Sequence, residues 1–553
     1  MKHIIFRHGN EQEEYTCPLN LLELSRKKQA GYAAQIVAAS VDHTLVALQQ
    51  DIGESKEISF IDMTQEAGIA VYQRSLAFVL VVAVSEIFPD AHVTIEHAIS
   101  NGLYCEIHKA EELTAEDVAV LEEKMQEIVA ADRPILRSQV PLAEAIAFFT
   151  AKGQQEQVKL MKQKNAPFVQ IFSCGDVMEY DSSAFVPSTG YLKIFALQFW
   201  QPGLIIRHPL AKAPDILPRF VPQPKLSEVF LEAEEWGRIM HCSYVVSLNE
   251  QVLEGQAQDL IHVAEALHEK KIAQIADFIS AHAHQVKVIL IAGPSSSGKT
   301  TFAQRLGVQL RVNGLRPVPI SLDDYFVERD LTPVDEMGVV DFESLEAIDL
   351  ALFNKDLADL LAGKAVAVPT FNFFTGLREY NGRILQIEPD QPLIIEGIHG
   401  LNERLTQSVA RQHKIKIYVS ALTQLSIDRH HRVATTDARL LRRIVRDNEF
   451  RGHNALRSLQ MWSSVRRGEE KNIFPFQERA DVMFNSSLIY ELAILKKYAV
   501  PLLEEISSEA AEYTEARRLL NFLSYFVGID EDAVPPNSIL REFIGGSCFF
   551  GKS

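Results

Sequence analysis

Along the chain the apolar residues recur with two different periods, and the changes between them divide it. Up to about residue 62, short β-rich pieces (HIIF, AAQIVAASV, HTLVAL, KEISFI) surround one helical patch, LLELSRKKQA, which predicts a small mixed sheet gripping one helix. From about 63 to 205 helical patterns take over. In TAEDVAVLEEKMQEIV, Thr114 and Asp117 make a capping-box-like start before an apolar stripe, and VPSTGYLKIFALQFW returns to a β-rich pattern. The segment from Arg207 to Lys225 holds five prolines and predicts a linker or extended arm separating two halves. A long helical pattern, LIHVAEALHEKKIAQIADFISAHAH, follows. From Val286 onward, the apolar strands VKVILIAG, RPVPISLD, PLIIEG and KIKIYVSA alternate with helices such as TTFAQRLGVQL. Near-continuous apolar strands separated by helices predict an α/β fold with a parallel sheet covered on both faces. The expected units are residues 1–62, 63–205, a linker and connecting helix over 206–284, the parallel-sheet domain over 285–500, and a C-terminal helical extension over 501–553.

Composition narrows the class. The 553 residues are 47% hydrophobic and 23% charged, which suits a multidomain globular chain and excludes disorder and collagen. The net charge of −18 disfavours standing attachment to nucleic acid or anionic lipid. Five scattered cysteines (Cys17, Cys105, Cys174, Cys242, Cys548) form no CxxC pair, so a reducing cytoplasm is the expected location. The start, MKHIIFRHGN, lacks the apolar run of an export signal. The longest apolar run, Leu76 to Val84, is far shorter than the roughly 20 residues that cross a bilayer, and it predicts a buried helix with no membrane partner.

The chemistry is concentrated after Val286. GPSSSGKT, from Gly293 through Pro294, Ser295, Ser296, Ser297, Gly298 and Lys299 to Thr300, satisfies GxxxxGK[ST] between a strand and a helix. Its glycines let consecutive N–H groups turn inward around phosphate oxygens, and the helix adds its positive end. Lys299 would neutralise the transferred phosphate, and the Thr300 hydroxyl would bind magnesium. Because ligands of open α/β sheets sit at the carboxyl ends of strands, acids ending apolar strands are the next candidates. ISLDD places Asp323 and Asp324 there, 24 residues after Lys299, and PLIIEG places Glu396. Either could complete a magnesium shell, and one near the acceptor could take a hydroxyl proton. In DARLLRRIVRD, Arg439, Arg442, Arg443 and Arg446 share one helix face, which either closes over phosphates or is an ordinary solvated basic face.

Taken in order, GPSSSGKTT, SLDDYF, VPTFNF, IIEG and RRIVRDNEFRG resemble the uridine kinase and phosphoribulokinase family of P-loop kinases, over about Val286 to Lys497. The resemblance implies ATP or GTP as donor and Mg2+ as cofactor. It implies Asp323 as the base for a sugar 5′-hydroxyl, and Thr300, Asp323 and Glu396 around the metal. Thr301 extends the nucleotide loop, Asp341 falls on a ribose-binding aspartate, and Arg443, Arg446 and Arg451 fall on lid arginines. Where uridine kinases read the base with a tyrosine and a histidine, this chain has Phe371 and Gly376, and His453 replaces a lid arginine; altered or relaxed base selection is therefore expected. The first 200 residues resemble the TGS (β-grasp) module and the α+β editing-type second domain of threonyl-tRNA synthetases, through ISNGLYCEI, LTAEDVAVLEEKM and VPSTGYLKIFAL. Their His/Cys positions here read Arg74, Phe78, Asp181 and Phe185, so neither hydrolytic editing nor zinc is expected.

The reading favoured on this basis is a nucleoside kinase. Its competitors are a nucleotide-gated tRNA- or RNA-binding regulator and a kinase of another small alcohol. Against a GTPase switch, Asn354, Lys355 and Asp356 lack the spacing of NKxD. A homo-oligomer and an RNA contact by the N-terminal half remain open at this point.

Overall fold

Five short strands of the C-terminal region form one parallel sheet, in the order Val318–Ser321, Leu393–Glu396, Val288–Ala292, Lys414–Ser420, Val482–Asn485. The computed structural model describes residues 3–9, 11–16, 18–53, 57–164, 166–181, 183–334, 338, 340–372 and 375–550; Cys17 lies outside them. Val288–Ala292 is central and buried along its whole length. Its alternate side chains enter different cores. Ile289 and Ile291 pack with Phe302 and Leu306 of the helix Lys299–Val312 and with Ile272 and Ile275 of the helix Ala257–Ala281. Val288 and Leu290 pack with Phe353 and Leu357 of the helix Leu350–Leu361 on the other face. A strand covered on both faces has no solvated positions, which is why VILIA carries no polar residue. Each of those side chains contributes about 1.5–3 kcal/mol by leaving water.

The N-terminal half is α/β of another kind. Strands Glu11–Thr16, His3–His8, Glu57–Asp62, Ile36–Val41 and Thr44–Val46 form a mixed sheet against the helix Leu21–Lys28, with His3–His8 antiparallel to its first neighbour and parallel to its second. Beyond it, a four-stranded sheet (Ala196–Trp200, Gly203–Arg207, Gly102–His108, His92–Ile99) and a three-stranded one (Leu136–Pro141, Phe168–Cys174, Val177–Tyr180) accompany the helices Glu66–Ile87 and Ala115–Ala130. The capping box at Thr114 is present, with both reciprocal bonds to Asp117. The apolar run at Leu76 belongs to a helix of 22 residues, longer than the run itself, and by length and composition long and apolar enough to cross a membrane. Leu76, Val79, Leu80 and Ala83 are buried with Ile95, Leu103, Ile128 and Leu204, so its apolar character is used inside the protein.

The proline-rich segment differs from its expected role. Instead of separating two halves, it ties them together. Arg207 donates to the Pro218 carbonyl at 2.7 Å, and Gln223 accepts the Ser100 N–H at 2.8 Å. Pro224 opens the helix Pro224–Ile239 at its first turn, where a missing N–H costs nothing. Leu226, Val229 and Phe230 of that helix share a core with Tyr104 and Ile205 of the N-terminal half and with Ala292, Tyr418 and Met483 of the parallel sheet.

Candidate functional site

The phosphate loop is built by close contacts that exclude side chains at both ends. A Cβ on Gly293 would lie 1.8 Å from the Val419 carbonyl oxygen, so the loop can leave its strand this tightly only with glycine. Gly298, at φ 78°, starts the helix Lys299–Val312 from the left-handed region, where glycine is unpenalised. Ser296 also has a positive φ, of 59°, and is held there by its surroundings. The Ser296 and Ser297 hydroxyls are buried without a hydrogen-bond partner among the described residues, and Lys299 Nζ donates to the Pro294 carbonyl at 3.0 Å. Pro294 and Thr300 complete the turn into the helix.

The carboxylates gather at the same rim. Register pairs both Ile291 and Ser321 with Glu396, so the ends of three adjacent strands lie side by side, with Asp323 two residues past the second. Ser321 Oγ donates to Glu396 at 2.8 Å. Burial lowers the Lys299 pKa, and Glu396 and Asp323 oppose that effect, so all three share one electrostatic environment. Burial first, and Asp323 second, raise the Glu396 carboxyl above its ordinary range. Asp323, Glu396 and Lys299, distant along the chain, therefore converge. Asp324 turns aside: it accepts the Phe371 N–H at 3.4 Å and an Arg383 guanidinium at 3.4 Å. Phe371 is itself buried, edge-on to Phe326.

Asp341, the acid that the resemblance gives to a ribose, also has a local structural part. Its carboxylate accepts the Glu343 N–H at 3.1 Å and its carbonyl takes the Ser344 N–H, so it holds a turn. Glu343 also faces Lys299, Asp323 and Arg443, with one carboxylate oxygen buried and without a hydrogen-bond partner among the described residues. Burial and the neighbouring Glu469 push the Glu343 pKa up to about 7. An acid two residues from the expected one, in DFESLE, was the only sequence signal for it.

The arginine-bearing helix Thr435–Phe450 is not a solvated basic face. Arg439 and Arg442 are entirely buried, each in a close ion pair, with Glu469 and Glu491 respectively. Arg439 Nε donates to the Ser295 carbonyl at 3.0 Å, and Glu469 accepts the Ser295 N–H at 3.1 Å. Arg442 reaches the Ser296 carbonyl at 3.4 Å and the Ser486 carbonyl at 2.8 Å. These two arginines brace the loop from behind. Arg443 bonds Ser295 Oγ at 3.0 Å. Arg443, Arg446 and Arg451 all lie against the buried Asp447, at 3.2, 2.7 and 3.8 Å. The Arg451 pKa is lowered to about 10, first by Arg446 and then by burial, the mark of positive charge in excess. That excess suits an anionic ligand. His453 donates its backbone N–H to the Asp447 carbonyl at 3.0 Å.

The C-terminal extension reaches the same place. Glu542, in the short helix Arg541–Ile544, accepts both the N–H and the hydroxyl of Thr301, at 3.0 and 2.8 Å, and the Ile539 side chain lies where a Cβ on Gly298 would fall. No pattern in the sequence pointed to Glu469 or Glu542, because each acts through a contact with a residue far away in the chain.

In the N-terminal half the four positions that replace the His/Cys set also meet. Arg74 pairs with Asp181 at 3.0 Å, and the Phe78 and Phe185 rings meet edge-on at 5.6 Å.

Residues 288–491 match the model of the Phosphoribulokinase / Uridine kinase family. The N-terminal region matches threonine–tRNA ligases: that of Hahella chejuensis is 33% identical over 198 residues, 35% of this chain and 31% of the ligase, and that of an Acidovorax species (strain JS42) is 31% identical over 198 residues, 36% of this chain and 31% of the ligase. The chain thus spans about a third of the length of these relatives. Among solved structures, one described as a "Possible Uridine Kinase" from Bacillus stearothermophilus matches at 19% identity and a TM-score of 0.25, over 38% of this chain and 97% of that one.

Proposed function

We propose that the protein is a nucleoside kinase that moves the γ-phosphoryl group of ATP or GTP to the 5′-hydroxyl of a nucleoside. The observation that carries this reading is the convergence of Lys299, Asp323 and Glu396 at the mouth of the phosphate loop. The donor's phosphates lie on the loop from Gly293 to Thr301, with Lys299 against the group transferred and Arg443, Arg446 and Arg451 offsetting the charge that develops on it. Asp323 takes the proton of the acceptor hydroxyl as its oxygen forms the new O–P bond and the bond to the leaving nucleoside diphosphate breaks. Glu343 holds the acceptor's sugar. Hard oxygen donors in excess of nearby cations fit Mg2+, and Thr300, Asp323 and Glu396 would hold it; bound there, it supplies charge neutralisation at the phosphates.

The buried, apolar setting of Phe371 supports a base site that discriminates weakly. A screen of nucleosides and other small alcohols with labelled ATP tests the reading: phosphorylation of one or more nucleosides is expected, and transfer only to a non-nucleoside alcohol contradicts it. The ligase-like half supports a second reading, an RNA contact. Binding of tRNA that falls steeply with salt, without phosphorylation of any small molecule, would favour it.

A further inference from the structure

The loop that joins the strand Lys414–Ser420 to the arginine helix does not stay within the parallel-sheet domain. Ser426 pairs with Tyr244, the Arg429 carbonyl accepts the Ile95 N–H at 2.8 Å, and Arg429 Nε lies 3.3 Å from Glu156. His430 then meets Glu179 at 2.5 Å. His431 sits between two carboxylates, with Nδ1 2.8 Å from Asp428 of its own loop and Nε2 3.1 Å from Asp181 of the N-terminal half. Asp181 in turn holds Arg74. The aspartates are buried, at 7% and 1% side-chain exposure.

We propose that His431 is a positioning residue for phosphoryl transfer: held between Asp181 and Asp428, it fixes where the helix Thr435–Phe450 begins and so keeps Arg443 against Ser295 of the phosphate loop. The inference rests on the kinase reading given above. Three residues separate His431 from Thr435, and that stretch has little slack. Asp428 accepts the backbone N–H groups of both His430 and His431 at 2.9 Å, and the His431 carbonyl accepts the Ile427 N–H at 2.7 Å. Thr423 Oγ1 then holds the Val433 carbonyl at 2.6 Å. The helix has no side-chain cap of its own, so its start is set by what surrounds it. A helix is stiff, and Arg443 lies eight residues, about 12 Å, beyond Thr435, so a shift at the start is carried to the guanidiniums.

The charges agree with a clamp. Burial opposes protonation of His431, yet Asp428 and Asp181 outweigh it and raise its pKa well above the ordinary value. Burial likewise opposes ionisation of Asp181, and Arg74 and His431 outweigh it, holding that carboxyl at about 2. Each partner's shift favours its charged form, and the bond joins the two halves of the chain. On this account the N-terminal half is a working part of the phosphotransferase.

The test uses full-length Asp181→Ala, Asp181→Glu and His431→Gln. None of these positions touches the phosphate loop. Steady-state constants are measured for donor and acceptor, and hydrogen exchange is followed in unliganded protein for residues 435–451, with 257–281 as the internal control. We expect kcat of Asp181→Ala to fall about tenfold with both KM values within about threefold. Exchange should quicken at 435–451 and not in the control, His431→Gln should behave like Asp181→Ala, and Asp181→Glu should recover most of the rate. Unchanged kcat with only a lowered melting temperature overturns the proposal, as does exchange that quickens equally in both segments. If the wild-type chain phosphorylates nothing, the kinase reading fails, and unchanged exchange at 435–451 then overturns the clamp independently. Should Asp181→Ala fail to fold, His431→Gln decides by the same measurements.

Discussion

The bracing of the phosphate loop by Arg439 and Glu469 makes a prediction whose size follows from burial. Both side chains are excluded from solvent, at 1% and 0% exposure, and Glu469 also takes the Ser295 N–H and an Arg466 guanidinium at 3.2 Å. Changing Glu469 to Gln leaves Arg439 as a buried charge without its counter-ion, which costs about 3–5 kcal/mol. Arg466, 29% exposed, is solvated enough to add little. Changing Arg439 to Met alone strands the carboxylate at a similar cost. With both changed, no charge is left unpaired, and the loss shrinks to about 1 kcal/mol for the bond from Arg439 to the Ser295 carbonyl. The coupling between the two changes is therefore on the order of 3 kcal/mol or more. Trp462, stacked 5.4 Å from the Arg439 guanidinium, is a local fluorescent reporter for thermal unfolding. Each single variant should melt roughly 10 °C below wild type and the double variant within a few degrees of it. A single-variant loss below about 1 kcal/mol, or losses that simply add, would refute the reasoning.

Glu542 accepts the Thr301 N–H and hydroxyl, so a nucleotide phosphate must displace it; Glu542→Ala should lower the donor KM about tenfold, the equivalent of a charge-assisted bond, with kcat little changed, and a raised KM would contradict this. Glu234 is raised to about 9 by burial and then by Glu96 and Glu106, so its contribution to stability is present below its unfolded pKa of about 4.5 and is lost as pH rises towards 9. Between pH 5 and pH 9 this amounts to about 5 kcal/mol, so Glu234→Gln should gain on wild type by roughly 10 °C in melting temperature over that range, and parallel curves would show the carboxyl to be unperturbed.

Much of the parallel-sheet region is legible in the sequence because its physics is local. A strand buried on both faces must be continuously apolar, and a loop that passes 1.8 Å from a carbonyl where a Cβ would stand must be glycine. Acids that end such strands are likewise visible, and Asp323 and Glu396 do share the rim with Lys299. What escaped was set by partners far away in the chain. The i, i+3, i+4, i+7 spacing of Arg439, Arg442, Arg443 and Arg446 reads as one basic face, and nothing nearby tells that Glu469 and Glu491 bury the charges of the first two. Asp341 and Glu343 are both acids in one short turn, and nothing in the pattern tells that the second of them faces Lys299 and Asp323. The prolines between Arg207 and Lys225 signal an irregular backbone, and they leave open whether that backbone is loose or packed. The junction between the halves, with His431 on Asp181, had no signature in either stretch alone.

The central claim is that Asp323 is the proton acceptor at a rim shared with Lys299 and Glu396. Single-turnover transfer from labelled ATP to the best nucleoside acceptor, comparing wild type with Asp323→Asn, tests it most directly. The account predicts a rate lowered at least about a hundredfold, because a positioned general base contributes roughly 10² to 10⁴, with donor affinity nearly preserved by the loop and Lys299. Transfer at an undiminished rate would contradict it.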